Sequence, residues 1–319
     1  MGKYIIHNSA WIVLFLFIFN TAIAQSIYNA NQSVVSPIVD GSSTDDVWQQ
    51  ANWKSIDQLW LGTAPSSSDF QGKYKVLWSG NTLYLLAEIV DDVLYDGHAG
   101  ALDQWYNDDC LEIFIDEDHS RGNHQCTYNA FAYHLAINGD VVDLGTDCNP
   151  HLYNSTITSA RTNVGTTYTW EVAITVYSSS YTDAGPNTPV SLFDGKVCGF
   201  SLAYCDDDGS NVRESFMGSE IMPGGHNDDN YITADYFGTL NLTGPSVPTN
   251  VSNPNESINK LLQDGQTLGL YIYNIQGQLL FKEENSTVET MPLSILSSGI
   301  YIVKVLTTSG FKTEKIRVE

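Results

Sequence analysis

The sequence predicts an all-β protein built from two units, and three observations support this fold class. Short runs of strand-forming residues recur along the chain after residue 24, with Asn, Asp and Gly between them. Helical periodicity is scarce over the same stretch, and evenly spaced short strands are typical of all-β folds. Apolar residues make up 42% of the chain and aromatic residues 12%, which is enough to build a packed core.

The first 24 residues predict a secretory signal peptide. Lys3 precedes the apolar run 11–19, and Ala22-Ile23-Ala24 has the small residues of a cleavage site. We expect cleavage after Ala24. The apolar run is shorter than the roughly 20 residues that a membrane-spanning helix needs, so no transmembrane segment is expected in the mature chain.

A short helix is the first element expected after a turn near residue 40. Thr44 is a plausible N-cap, and Asp45 and Asp46 would lie in the first turn, where the helix dipole favours acidic side chains. Trp48 and Ala51 can point inward. The helix is predicted to cover one edge of a sandwich.

Six strands are then expected, with tight turns at Asn81, Asn138-Gly139 and Asp194-Gly195, since these residues tolerate positive φ. A linker rich in Pro, Ser and Asn is predicted at 244–260, and it divides a large unit, 25–243, from a small β unit, 261–319. The six strand runs of the large unit are 74–78, 83–90, 111–115, 130–137, 167–176 and 197–204.

The charge of the chain excludes one class of partner. Its formal net charge is -23, with only 14 Lys and Arg residues. Nucleic-acid binding depends on clustered Lys and Arg, so we expect no nucleic-acid partner. Neutral ligands or cations fit the charge better.

Five cysteines in an exported chain suggest disulfides with one thiol left over. Cys126 and Cys148 flank a hairpin-like segment and could meet. Cys198 and Cys205 lie in one predicted strand, where seven residues at about 3.3 Å each keep them apart. The spacing of Cys and His does not indicate a zinc site.

The segment 105–116, which reads W-Y-N-D-D-C-L-E-I-F-I-D, predicts a sugar site. Strand alternation places Glu112 on the face opposite the aliphatic residues at 111, 113 and 115. Glu112 follows Trp105 and Tyr106 closely, and a flat ring beside a carboxylate could hold a pyranose. The alternative is that both rings pack in the core and Glu112 is solvated.

Five groups of motifs occur in order between residues 39 and 242, and this stretch resembles carbohydrate-binding module family 9, a β-sandwich found beside glycoside hydrolases. The motifs are Val39-Asp-Gly with Asp46-Val-Trp-Gln-Gln-Ala, Lys75-Val-Leu-Trp with Leu83-Tyr-Leu-Leu-Ala and Val90-Asp-Asp, Asp109-Cys-Leu-Glu-Ile-Phe-Ile-Asp, Trp170-Glu-Val-Ala-Ile, and Phe237-Gly-Thr-Leu-Asn-Leu.

In sugar-binding members of that family, two rings sandwich a terminal sugar and polar side chains bind its hydroxyls. The resemblance implies that Tyr106 or Trp105 is the first ring, Glu112 the acidic residue and Tyr231 the second ring. Asp228 stands in place of a hydroxyl-binding amide.

The match to the family site is partial. His134 occupies the position of the family's Arg, and Ala136 and Ala203 stand where an Asn and a Gln would lie. Hydrogen bonds to hydroxyls carry much of a site's discrimination, so the lost donors affect which sugar can bind. The alternative for His134 is a satisfied core histidine.

Some family members carry calcium, and two acidic loops here are oxygen-rich in the way calcium prefers. The candidate ligands are Asp206, Asp207, Asp208, Asp228 and Asp229. The alternative is that these loops are simply solvated.

The C-terminal stretch resembles the sorting domain of type IX secretion, which is found in the phylum Bacteroidota, and the resemblance implies a small β-sandwich. Its motifs are Ile272-Tyr-Asn-Ile-Gln-Gly-Gln, Leu296-Ser-Ser-Gly-Ile-Tyr-Ile-Val-Lys-Val and Glu314-Lys-Ile-Arg-Val. This implies export by signal peptide and sorting tail, with release or attachment at the cell surface. A plain accessory β domain is the alternative.

These expectations together predict a secreted, non-catalytic protein that binds the end of a polysaccharide or oligosaccharide and supports its catabolism. Three alternatives stay open. A glycoside hydrolase needs two carboxylates about 5 to 9.5 Å apart, which Asp109, Glu112 and Glu171 could supply. The sandwich could instead serve as a structural or adhesive domain. It could also bind haem through an axial ligand, for which the candidates are Met217, Met222 and His226.

Overall fold

The computed structural model of the chain describes residues 25–245, 267–275, 277–284, 296–297, 299–308 and 310–318. The predicted signal peptide, 1–24, and nearly all of the predicted linker, 244–260, lie outside the described residues. No helix in the described part of the chain is long and apolar enough to cross a membrane.

Strands dominate the described residues, which confirms the all-β prediction. The strands of the large unit are β1 (Ile27–Gln32), β2 (Lys54–Ile56), β3 (Gln58–Gly62), β4 (Phe70–Ser79), β5 (Thr82–Asp91), β6 (Cys110–Asp116), β7 (Phe131–Ala136), β8 (Val141–Leu144), β9 (Pro150–Leu152), β10 (Ile157–Val164), β11 (Thr167–Thr175), β12 (Val197–Asp206), β13 (Ser215–Gly218) and β14 (Gly238–Thr243). The small unit has β15 (Thr267–Asn274), β16 (Leu279–Glu284), β17 (Gly299–Thr307) and β18 (Gly310–Val318).

One long sheet forms the large unit, in the order β10-β11-β5-β4-β1-β14-β12-β6-β7-β8-β9. Strand β1 pairs in parallel with both β4 and β14 and so joins two halves that are otherwise antiparallel. The sheet curls at this strand, and its halves pack face to face. Phe70 stacks on Tyr204 at 5.5 Å between ring centroids, and Tyr74 meets Phe200 at 5.8 Å. The large unit is therefore a β-sandwich, as predicted.

The predicted helix is a 3-10 helix over Asp46–Gln50. Trp48 and Ala51 are buried as expected, against the outer face of β4 and β5. The prediction of Thr44 as N-cap is wrong, because Asp45 occupies that position. The Asp45 carboxylate accepts a hydrogen bond from the backbone N–H of Ile38 at 2.7 Å, so it fixes the incoming loop and makes no cap bond.

The pairing of Cys126 with Cys148 agrees with the expectation from the sequence, but the expectation of a single left-over thiol is wrong, since three thiols are free. Cys126 and Cys148 form a disulfide. Cys110, Cys198 and Cys205 are buried thiols.

The small unit is a four-stranded antiparallel sheet in the order β16-β15-β17-β18. Its buried residues alternate along β15 and β17, with Leu270 and Ile272 against Val303 and Val305. Alternation of this kind is typical of a sheet that buries one face.

Candidate functional site

Strand β6 is covered on both faces, and its two faces serve different purposes. Leu111, Ile113 and Ile115 belong to the main core between the sandwich halves. Cys110 and Phe114 point the other way, into a second apolar cluster that is closed over by β3 and β13. Glu112 shares this second face and is only 2% exposed, so the alternative of a solvated carboxylate is wrong.

A cavity of about 310 Å³ opens beside Glu112. Side chains from β6, β7, the loop before β6 and the segment before β14 line the cavity, and these elements span more than 100 residues of sequence. The structure thus brings all six predicted sugar-site residues to one place. The lining residues are Trp105, Tyr106, Glu112, Ala132, His134, Asp143, Leu144, Arg213, Asp228 and Tyr231.

The floor of the cavity holds a carboxylate–imidazole pair. Glu112 and His134 are directly opposite each other on β6 and β7, with Oε2 and Nε2 3.2 Å apart. His134 Nδ1 lies 3.2 Å from the carbonyl oxygen of Ala132. Burial lowers the pKa of His134, but the Glu112 carboxylate outweighs this and raises it to about 9. His134 is therefore a cation at neutral pH that donates from both ring nitrogens.

Arg213 supplies a second cation that the sequence analysis missed. One guanidinium nitrogen donates to both carboxylate oxygens of Asp228, at 3.2 and 3.1 Å, and the group lies 4.1 Å from the ring centroid of Phe216. The resemblance gave the arginine position to His134, yet an arginine does reach the cavity, from the loop between β12 and β13. Its loop position gave no strand alternation from which to place it.

Three aromatic residues form the rim. Tyr106 is 40% exposed and Tyr231 is 38% exposed, whereas Trp105 is half-buried. Trp105 meets the ring of Tyr106 edge-on at 5.4 Å and that of His134 at 6.1 Å. Its buried Nε1 has no hydrogen-bond partner within the described residues, which leaves an indole donor for an acceptor such as a ligand hydroxyl.

The charges of the cavity nearly balance. Glu112, Asp143 and Asp228 face the cations His134 and Arg213. Burial raises the pKa of Asp143 to about 6, and burial likewise raises that of Asp228 to about 6 against the opposing effect of Arg213. With three acids and two cations, the cavity has no surplus positive charge for an anionic ligand.

The Asp143 carboxylate serves mainly to hold the cavity wall. Its oxygens accept hydrogen bonds from the backbone N–H groups of Ala132, at 2.9 Å, and Leu144, at 2.7 Å. The bond from Ala132 ties β7 to β8 beside His134, and the bond from Leu144 holds the carboxylate within β8.

The predicted calcium ligands do not form one group. Asp228 is paired with Arg213, and Asp229 lies 2.6 Å from His226 Nδ1. One oxygen of Asp207 accepts hydrogen bonds from Gly209 and Ser210.

A different acidic group forms around Asp206. One carboxylate oxygen from each of Asp206, Asp91 and Asp109 lies within 4.8 Å of the other two, and all three residues are buried. Asp208, the remaining predicted ligand, groups with Asp91 and Asp92 or with Asp69 and Asp206. The set is all oxygen, which suits calcium.

Burial, reinforced by the neighbouring Asp91, raises the pKa of Asp109 to about 9. Burial raises that of Asp206 to about 7. Asp91 and Asp109 were not predicted as cation ligands, because they come from separate strand ends that only the fold brings together.

The residues named for a hydrolase or a haem ligand lie elsewhere, apart from Glu112. The Glu171 carboxylate accepts from Trp48 Nε1 at 2.8 Å and from the backbone N–H groups of 40–42. It thereby fastens the 3-10 helix to β11. Met217 packs in the main core, and His226 pairs with Asp229. The five candidates other than Glu112 do not line the cavity; they are Asp109, Glu171, Met217, Met222 and His226.

Comparison with known proteins identifies both units. Residues 39–245 match the family profile "Carbohydrate family 9 binding domain-like", and residues 252–319 match "Secretion system C-terminal sorting domain". Both resemblances drawn from the sequence are confirmed.

Relatives are found among longer enzymes. Exoglucanase XynX of Acetivibrio thermocellus is 23% identical over 210 residues, which cover 66% of this chain and 16% of that protein. Endo-1,4-beta-xylanase A of Thermotoga neapolitana is 28% identical over 110 residues, or 34% of this chain and 9% of the xylanase. The chain thus spans only a small part of these curated relatives.

Solved structures agree on the fold. A carbohydrate binding module family 9 from Caldicellulosiruptor kristjanssonii in complex with cellotriose superposes with a TM-score of 0.51 at 21% identity, covering 72% of this chain and 100% of that module. The same module in complex with glucose gives 0.50 at 21% identity, covering 70% and 99%.

Proposed function

The chain belongs to the carbohydrate family 9 binding domain-like family, and from this premise we propose that its large unit binds the end of a neutral polysaccharide or oligosaccharide in the Glu112 cavity. One observation carries the proposal: Tyr106 and Tyr231, both partly exposed, stand at the rim of a cavity whose floor holds the paired charges of Glu112 and His134. Rings can stack on a sugar face while charged groups bond to hydroxyls.

The chemistry of the floor supports a sugar ligand. Glu112 can accept from a hydroxyl and Arg213 can donate to one, so the cavity offers a charged donor despite the alanines at 136 and 203. The spare donor on Trp105 adds another. A polyhydroxylated ligand can use donors and acceptors at once, whereas an apolar ligand would leave these charges unsatisfied.

The balance of charge supports a neutral sugar over a uronate or a sulfated sugar. The cavity has more acidic than basic groups, and the whole chain carries a formal charge of -23. An anionic ligand would meet repulsion at long and short range.

The sorting domain and the named activities of the relatives support a role outside the cell. We infer that the protein is exported through its signal peptide and the type IX machinery and supports polysaccharide catabolism at the cell surface or in the medium. Its relatives are named as an exoglucanase and an endo-1,4-beta-xylanase, and the structural relative was solved with cellotriose and with glucose, which are neutral sugars.

A calcium ion is a second element of the proposal. The buried carboxylates of Asp91, Asp109 and Asp206 converge within 4.8 Å, and a divalent cation would offset their mutual repulsion. Its contribution would be structural, because Asp109 immediately precedes β6 and the group would hold that strand end beside β5 and β12.

A glycan array probed with the mature protein tests the function. We expect retention on neutral oligosaccharides and little on uronate-rich or sulfated glycans. Tyr231→Ala is the matched control, because it removes an exposed ring without touching the core. Absence of binding to every neutral glycan, or equal binding by Tyr231→Ala, would reject the cavity as a sugar site and favour the adhesive alternative.

A further inference from the structure

Two of the three free thiols are direct neighbours across the sheet. Cys110 on β6 is paired in register with Cys205 on β12, so their side chains lie on the same face. Residues directly opposite in an antiparallel pair have Cα atoms about 4.5 to 5.5 Å apart. That separation falls within the roughly 4.4 to 6.8 Å that a disulfide spans.

The two sulfurs share one buried environment beneath the cavity. Both residues are fully buried in the second apolar cluster. Cys205 Sγ lies 3.5 Å from a guanidinium nitrogen of Arg213 and 4.0 Å from Glu112 Oε2. A hydrogen bond to Cys205, followed by burial, raises the pKa of the Cys110 thiol, which is consistent with thiols in contact.

Cys198 provides the contrast within the same strand. It stands opposite Leu240 on β14 and packs in the main core, on the other side of the sheet from Cys205. It therefore has no cysteine opposite it in the sheet.

We propose that Cys110 and Cys205 form a second disulfide in the exported protein, beneath the Glu112 cavity. The sorting domain directs the chain out of the cell, where disulfides persist, and Cys126–Cys148 is already such a bond. In the reaction each thiol loses a proton, one S–S bond forms, and the two electrons reduce a disulfide of a small thiol or an exported oxidoreductase to two thiols. Burial of both sulfurs requires this exchange to precede final packing.

The bond would fix the frame of the cavity. It closes the chain between residues 110 and 205 and links β6 to β12 two residues before Glu112. A cross-link over a loop of this length restricts the unfolded chain strongly. Cys205 would also become a disulfide sulfur, so its thiol proton would no longer be available to Glu112.

Thiol mapping of the exported full-length protein tests the proposal. The protein is unfolded in urea at acid pH without reductant, alkylated with N-ethylmaleimide, digested and analysed by mass spectrometry. We expect label on Cys198 alone, and a cross-linked peptide pair containing Cys110 and Cys205. Label on all three thiols, or a cross-link that includes Cys198, would overturn the proposal. Cys198→Ala should remove all label and keep the cross-link.

Stability provides the second readout. Cys110→Ala, Cys205→Ala and the double variant should lower Tm by similar amounts, on the order of 5 to 15 °C, because each breaks the same bond. Two independent core thiols would instead give losses that add in the double variant. Additive losses would count against the disulfide even if mapping were incomplete.

Discussion

The Glu112 cavity and the Asp91–Asp109–Asp206 group both contain several buried acidic side chains, but the negative charge of these side chains is compensated differently. In the cavity each acid faces a cation or backbone donors, as Glu112 does with His134 and Asp228 with Arg213. In the acidic group the carboxylates face one another, and the donors that the described residues offer them are neutral, such as the Tyr204 hydroxyl and the backbone N–H of Asp207. A charge-compensated site can accept a neutral ligand, whereas an uncompensated one must take up protons or a cation.

The largest expected effect is that of pH and calcium on the thermal stability of the protein, through the Asp91–Asp109–Asp206 group. Burial raises the pKa of Asp109 to about 9, far above that of the unfolded chain, so the folded state binds more protons between about pH 4 and 9. Stability in chelator should therefore fall as pH rises through this window. Calcium at about 100 times its Kd should restore roughly 2.7 kcal/mol, a Tm rise on the order of 5 to 10 °C.

Scanning calorimetry at pH 5, 7 and 9, with calcium and with chelator, makes this measurement. Asp109→Asn should remove the calcium response, and Asp229→Asn, which alters a half-buried acid outside the group, should retain it. A Tm that does not depend on calcium at pH 7 would show that protons alone compensate the group.

Tyr231→Ala should have the next largest effect. It should weaken glycan binding and leave thermal stability nearly unchanged. Removing a rim ring should cost on the order of 1 to 3 kcal/mol of glycan affinity, by analogy with aromatic hot spots. The ring is 38% exposed, so Tm should change little. Isothermal titration calorimetry and thermal melts separate the two quantities, and loss of folding would show that the ring belongs to the core.

Arg213→Lys tests whether the guanidinium group of the cavity does more than balance the acidic charge. Lysine keeps the positive charge, but it cannot contact Asp228 and the Cys205 sulfur with two separate nitrogens or stack a planar group on Phe216. We expect a loss of about 1 to 2 kcal/mol in glycan affinity, as for a charged hydrogen bond left incomplete. Unchanged affinity in calorimetry would mean that the guanidinium only balances charge.

Glu112→Gln should have the smallest effect on affinity, about 1 kcal/mol, because it exchanges a charge-assisted hydrogen bond for a neutral one. It should act strongly on His134, however. The raised pKa of His134 contributes stability that is complete below about pH 6.5 and is lost as pH rises through about 9. In Glu112→Gln the NMR titration of His134 should move well below 9. A titration that stays near 9 would assign the shift to another carboxylate.

Local sequence patterns predicted the secondary-structure elements and which side chains of β6 point into the main core, because alternation along 111–115 separates the core residues from Glu112. The family motifs then placed Tyr231 and His134 at the same site. Arg213 and Asp91 lacked such signals, since each becomes part of its cluster only through long-range strand pairing. Thr44 failed as a cap because Asp45, one residue later, is held by the backbone of Ile38.

The most direct test is a calorimetric titration with one neutral oligosaccharide that binds on the array. It is titrated into three proteins, the parent, Tyr231→Ala and Asp109→Asn. Each protein is measured with calcium and with chelator. We expect Tyr231→Ala to lose glycan affinity and keep its calcium-dependent Tm. Asp109→Asn should lose the calcium response and keep glycan affinity in calcium buffer. If Tyr231→Ala binds the glycan as the parent does, or if Asp109→Asn alone abolishes binding while folded, the division between a neutral-ligand cavity and a separate cation group is contradicted.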